Sequence, residues 1–414
     1  MSAVIKRITA MIDGGAALIR KRRARERRFL FLCAAAAAVA LLSLAGLLAS
    51  VAFQGWRGFI SASVQLQVAF PADVAKADAL AYRGRIKDAL AKRFADAPRG
   101  ERRKLIQMIS FSAAVQLRDM AKENPQLAGT MQKVWLPASA RAEGFLKGAA
   151  DVDAGILTPY LQKLQDDGDT KLRFNTALFV NADSRDPESA GLLGAIAGSA
   201  LTLLITFALS FPLGVLTAVY LEFFARRGRW FSLVEVNINN LAAVPSVIFG
   251  VLGLAVFINW FGLPRSSPLL GGLVLSLMTL PTIVIVSRAA LQAPPAALMA
   301  AALSLGATRM QAVFHHILPA AMPGILTGAI IGMAQALGET APLLIIGMVA
   351  FVSDAPSGFL DAATALPVQI FLWADSPEAG FAERTATAII VLLFFLTLMN
   401  AAAIILRQRL QVRW

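Results

Sequence analysis

The stretch most able to do chemistry reads Gln335-Ala336-Leu337-Gly338-Glu339-Thr340-Ala341-Pro342-Leu343-Leu344, inside the apolar run 319–352. An ionised carboxylate in mid-membrane costs about 2.5–3.5 kcal/mol, so Glu339 is a functional candidate by default. The plainer alternative places it among headgroups or bonds it to a neighbouring helix. Pro342 lacks an N–H and releases the carbonyl of Gly338, so the helix is expected to break across Gly338–Pro342. As one helix the run would measure about 51 Å, well beyond a hydrocarbon core of about 30 Å. Broken helices at mid-membrane are where transporters build sites. Gln335 and Thr340 are the polar neighbours of Glu339, and a carboxylate repels an anion, so Thr340 and Gln335 are the better anion ligands. Asn240 and Ser246, with Asn237 and Asn239, are further pathway candidates on an earlier apolar run, unless they only bond between helices.

A second constellation surrounds Gly306. Residues 297–305 are Leu, Met, Ala and Ser, strong helix formers for the most part. Gly306 accepts a positive φ and can end that helix. A second short helix is expected over 310–317, with Pro319 in the first turn of the next span. The product is a helix–turn–helix bend, whose bland reading is a connector between spans.

Other chemistry has no support. The dipeptide Gly-Lys never occurs, which excludes a phosphate-cradling Gly-x4-Gly-Lys loop. Neither a Gly-x-Ser-x-Gly elbow nor a His-Glu-x-x-His pair is present. Cys33 is the single cysteine, so no internal disulfide can form. His315 and His316 are adjacent and cannot share one helical face as metal ligands. No catalytic residue, metal site or resident cofactor is expected.

The elements that position these residues are membrane spans. Of 414 residues 57% are apolar and 16% charged, an imbalance foreign to soluble domains. Six runs qualify: 29–53, 192–220, 234–261, 268–286, 319–352 and 386–406. The first is too long for a cleaved signal peptide and reads as a retained helix. The net charge of +13 could suggest nucleic acid, but the densest basic cluster, residues 21–28, abuts a span and reads as a topology signal. Lys and Arg in the short loops place residues 1–28, 226–229, 288–317 and 407–414 in the cytoplasm. Arg265 and Arg384 are lone exceptions on the outer side. Residues 54–191 mix charges and helix formers, predicting a mostly helical periplasmic accessory domain. Helices are expected over 79–94 and 103–122.

Ala301, Ala302, Gly306, Leu318 and Pro319 match, at the right spacing, the coupling loop of ABC-importer permeases: Glu-Ala-Ala, three residues, Gly, nine residues, Ile-x-Leu-Pro. Ala300 replaces the Glu and His316 the Ile. The run 338–344 resembles the signature of the PstA family of phosphate ABC permeases. Pro212-Leu213-Gly214 with Ala218-Val219-Tyr220-Leu221, and Val244-Pro245-Ser246-Val247-Ile248-Phe249-Gly250, are similar to two further family blocks. Many members carry Arg where this chain has Gln335.

The resemblance implies an all-α, polytopic membrane protein with six transmembrane helices in the type I ABC importer permease fold. The permease core spans 192–406, with coupling loop 293–318. It implies inorganic phosphate import into the cytoplasm by alternating access, in the bacterial inner membrane. ATP and Mg would be bound by a PstB-type ATPase dimer. A PstC-type sister permease would complete a heterodimer, and a PstS-type periplasmic protein would deliver phosphate. Glu339 is then expected to pair with an arginine of the sister subunit. Other oxyanions (sulfate, molybdate, tungstate) keep the class. A membrane-anchored sensor using 54–191 and an ion-driven transporter are the alternatives outside it.

Overall fold

A hydrocarbon slab offers the backbone no hydrogen-bond partner, so each spanning segment must bond itself. In the computed structural model five helices are long and apolar enough to cross, or six if the bent pair Arg229–Ala242 and Ser246–Ile258 forms one span. The structure describes residues 2–73, 77–148, 154–349 and 351–410, with side chains from residue 25 to 409 in those ranges. Most of the basic tail 1–28 and Arg413 therefore lie outside the described side chains.

The chain divides into two units, residues 1–54 and 55–414. In the first, helix α1 (Ser2–Gly55) runs unbroken. Its apolar side chains, Phe29 to Phe53, are exposed on all sides, as is Cys33. A helix apolar all round belongs in lipid.

The second unit opens with strand β1 (Ile60–Ala69), helix α2 (Ala79–Arg93), helix α3 (Ser112–Glu123), strand β2 (Met131–Pro137), helix α4 (Ala140–Leu146), helix α5 (Thr158–Asp166) and strand β3 (Thr170–Phe174). The strands form an antiparallel sheet in the order β2-β1-β3. This sheet was not anticipated, although β1 alternates strictly: Ala62, Val64, Leu66 and Val68 are buried, with Ser and Gln between them. Its apolar face packs on Tyr82, Ile86 and Leu90 of α2 and on Leu117 of α3. The helix expected over 103–122 starts only at Ser112, because the Ser110 hydroxyl lies 2.9 Å from that of Ser112 and 3.2 Å from its N–H, turning the chain there.

The remaining elements are helix α6 (Leu193–Val219), α7 (Arg229–Ala242), α8 (Ser246–Leu252), α9 (Pro268–Leu291), α10 (Ala296–Ser304), α11 (Arg309–Ala312), α12 (Leu318–Gly338), α13 (Ala341–Ile345), α14 (Leu366–Ala374) and α15 (Gly380–Leu410). One cluster joins Leu203 of α6, Val274 and Met278 of α9, Met333 of α12 and Leu343 of α13. A second, further along α6 and α9, takes in Val215, Val284, Val313 and Ile325.

Buried charge ties the strand-bearing domain to the last membrane helix. Lys147 bonds Glu143 at 2.5 Å and Glu383 at 2.7 Å. Arg384, 2% exposed, donates to the carbonyls of Gly58 and Pro187, both at 2.9 Å, and reaches Glu143 at 3.3 Å. One turn on, the Thr387 hydroxyl donates to the Gly55 carbonyl at 2.9 Å. Arg384, an exception to the charge bias in the sequence, is thus a buried tie. Nearby, burial pushes the Glu188 carboxyl above its ordinary range, although the Ala140 N–H donates to it at 3.1 Å. Replacing Arg384 by Met should cost about 3–5 kcal/mol, since it strips a cation from Glu143 and a donor from two buried carbonyls. The unfolding midpoint in detergent reads this. Arg118→Met, which loses only an exposed pair with Asp119, should stay within about 0.5 kcal/mol of the parent.

Candidate functional site

Two interrupted helices meet inside the bundle. Helix α12 stops at Gly338, and Glu339 turns to an extended backbone (φ −79°, ψ 123°). Its N–H still reaches the Ala336 carbonyl at 3.3 Å. Thr340 follows at φ −107°, ψ −43°, and α13 resumes with Pro342 in its first turn. There the missing N–H costs nothing, because first-turn donors have no helical partner. The Thr340 carbonyl then accepts from Leu344 at 3.0 Å.

The third apolar run is bent as well. Helices α7 and α8 meet at 104° across Ala243-Val244-Pro245. Pro245 biases Val244 away from helix, which explains the place of the bend. Five residues after Pro245, Gly250 packs on Pro342: a Cβ there would lie 2.8 Å from the Pro342 Cα and 2.9 Å from its carbonyl oxygen. Only glycine lets the two interrupted helices come this close. The importance of Gly250 was not evident in the sequence beyond its place at the end of a quoted block.

Pro342 is buried, Glu339, Thr340 and Ser246 are half-buried, and Gln335, Gly338 and Asn240 are exposed. Asn237 spends its amide on the Leu233 carbonyl of its own helix at 2.7 Å, and Asn239 is exposed. Among the described residues, the side chains of Gln335, Glu339, Thr340, Asn240 and Ser246 make no hydrogen bond or ion pair. The chain therefore brings Gly250 to Pro342 and leaves Glu339 without a cation of its own.

The bend at Gly306 has the expected turn. Helix α10 ends with Gly306 at φ +89°, and the Ala307 N–H closes back on the Ala302 carbonyl at 3.1 Å. Thr308 and Gln311 form a capping box that starts the next helix. That helix does not stop before the span: Arg309–Gly338 is continuous. A widened turn at Val313–Ile317 takes in Pro319 without leaving a gap in the helix. Ala302 is buried, Ala301 and Pro319 are exposed, and Leu318 is half-buried. Leu303, Leu305 and Met310 face outward, Leu305 at 89% exposure. A groove of about 500 Å³ beside the bend is lined by Glu222, Gln292, Pro295, Met299, Ala300 and Leu303. Above it, Arg288 bonds Glu235 of α7 at 2.9 Å and lies 3.6 Å from Glu222, with its guanidinium 5.8 Å from the Phe231 ring centroid. This knot holds α7 to the bundle.

Residues 210–413 match the family described as binding-protein-dependent transport system inner membrane component, and 16–155 match a domain of unknown function (DUF3333). The probable ABC transporter permease protein YqgH of Bacillus subtilis is 32% identical over 47% of this chain and 65% of its own length. The phosphate transport system permease protein PstA 1 of Mycobacterium tuberculosis is 30% identical over 52% of this chain and 71% of its own. Among solved structures, the inward-facing MetNI methionine ABC transporter aligns with 53% of this chain and 96% of its own, at 20% identity and a TM-score of 0.40.

The close approach generates a paired test. Gly250→Ala should cost about 1–3 kcal/mol, because backbone atoms must move to admit the methyl. Gly338→Ala, with open space where its Cβ would go, should cost less than about 1 kcal/mol. Unfolding midpoints of the two variants check the contrast.

Proposed function

The chain belongs to the binding-protein-dependent transport system inner membrane component family, membrane permeases that are not themselves enzymes, and from this we propose that it is the PstA-type permease subunit of an ATP-driven importer of inorganic phosphate. One observation carries the reading: the apolar helix Arg309–Gly338 ends at Glu339–Thr340, against the bent third span. Such breaks put backbone and side-chain polar groups in reach of a permeant ion.

In this reading the basic segments lie in the cytoplasm, with both chain ends, and residues 54–191 form a periplasmic accessory domain. A PstC-type sister permease completes the pathway and supplies an arginine to Glu339. That pairing neutralises a carboxylate which would otherwise repel the anion. Gln335, Thr340, Asn240 and Ser246 then face the path as neutral donors. A PstS-type binding protein delivers phosphate from outside. ATP and Mg sit on a PstB-type ATPase dimer. The ATPase takes the exposed apolar tip at Leu303, Leu305 and Met310, and its closure moves α10 and the continuous helix Arg309–Gly338 together.

Labelled-phosphate uptake in cells lacking and regaining this chain tests the substrate. Uptake should depend on the chain and resist competition by sulfate and molybdate; competition by either would reassign the anion within the class. Glu339→Gln should lower uptake about tenfold, equivalent to about 1.4 kcal/mol of barrier, and full activity would remove that charge from the mechanism. Leu305→Glu should release the co-purifying ATPase, as loss of an anchor worth about 2 kcal/mol predicts. Retention of the ATPase by that variant would move the docking site elsewhere.

A further inference from the structure

Four aromatic rings and two aliphatic side chains crowd one end of the strand-bearing domain. Phe59, Phe174 and Phe179 stack pairwise with centroids 6.1–6.4 Å apart, and Trp56 lies 6.3 Å from Phe59. Buried aromatic stacks are ordinary, but this one is open: Trp56 is 67% exposed, Phe174 62%, Val180 67% and Leu172 50%. The cause is visible in the register. Phe174 pairs with Ile60 and Leu172 with Ala62, so both stand on the core face of the sheet. That face is covered further along β1 and bare at this end.

The position of the patch says what meets it. Trp56 and Phe59 are the last residues of an apolar membrane-span candidate, Arg25–Phe59. Gly58, between them, packs on Thr387, and the Asn175 amide, next to Phe174, donates to the Gly58 carbonyl at 3.1 Å. Thr387 stands in the first turns of another candidate span, Gly380–Arg409. The rings therefore sit where one span candidate ends in the chain and against the first turns of another. Lys171 and Arg173 alternate with Leu172 and Phe174 along the strand and so stand on the opposite face of the sheet, where the Arg173 guanidinium lies 5.6 Å from the Trp135 ring centroid.

We propose that Trp56, Phe59, Leu172, Phe174, Phe179 and Val180 form a membrane-interface foot, by which the domain rests in the headgroup zone of the leaflet on its own side. Tryptophan and other amphipathic rings favour this zone. The domain is then held at its base twice, by the buried Arg384 tie and by lipid, so its orientation to the membrane is set.

The test uses the full chain in vesicles of phosphatidylethanolamine and phosphatidylglycerol. In a Cys33→Ala background, nitroxides are placed at Leu172→Cys, Val180→Cys and, as a control, Leu80→Cys. Leu80 is 69% exposed on α2, whose Tyr82 packs on Phe70 past the far end of β1. That end lies about 30 Å from the foot at the rise of a strand. The ratio of oxygen to water-soluble nickel accessibility should be severalfold higher at 172 and 180 than at 80. Equal ratios at all three sites would overturn the proposal, leaving the foot in water. Shielding of 172 and 180 from both reagents would overturn it too, in favour of a protein surface covering the patch. All three sites are exposed, so the labels do not disturb packing.

Discussion

In lipid a helix can be interrupted only where other protein covers the exposed backbone, because an unpaired N–H or carbonyl there costs several kcal/mol. Here the segments that follow two interruptions pack on each other, while Ala243, Pro245 and Gly338 at the breaks themselves are exposed. The bend at Ala243-Val244-Pro245 swings α8 across the bundle, and the break at Glu339–Thr340 lets α13 turn to meet it. Contact is made at Gly250 and Pro342, where no Cβ could be accommodated without moving backbone. Glu339 and Thr340, at the second break, are half-buried.

The charge clusters at opposite ends of the bundle have a different task. Arg288 with Glu222 and Glu235, and Arg384 with Glu143, Lys147 and Glu383, each join elements far apart in sequence. Such ties are poor sources of net stability, because desolvation offsets most of the attraction. Their use is to fix geometry. One holds the first half of the bent span, and the other holds the domain to α15. Glu339 has no such partner among the described residues and stands apart from both.

The bend at Gly306 shows how local and tertiary information divide. Gly306 with its positive φ, and the capping box of Thr308 and Gln311, are products of short-range backbone chemistry. The unbroken continuation to Gly338 is not, since it depends on a widened turn around Pro319 packed against α9 and α10. Likewise the alternation in 60–69 was a legible strand signal, outweighed by the abundance of helix formers around it. The partners of Arg384 lie between 197 and 326 residues away, beyond any local pattern.

By itself the sequence determined the apolar runs, the class of fold, the glycine and proline positions at which helices stop, and the family the chain resembles. These depend on residue type and spacing along one element, where the period of a helix or the lack of an N–H acts locally. Only the tertiary structure decided which breaks face each other, which charges are buried and paired, and where the domain's sheet runs out of cover. Those outcomes arise from contacts between residues hundreds apart, and packing is settled by shape and distance, which a linear pattern does not encode.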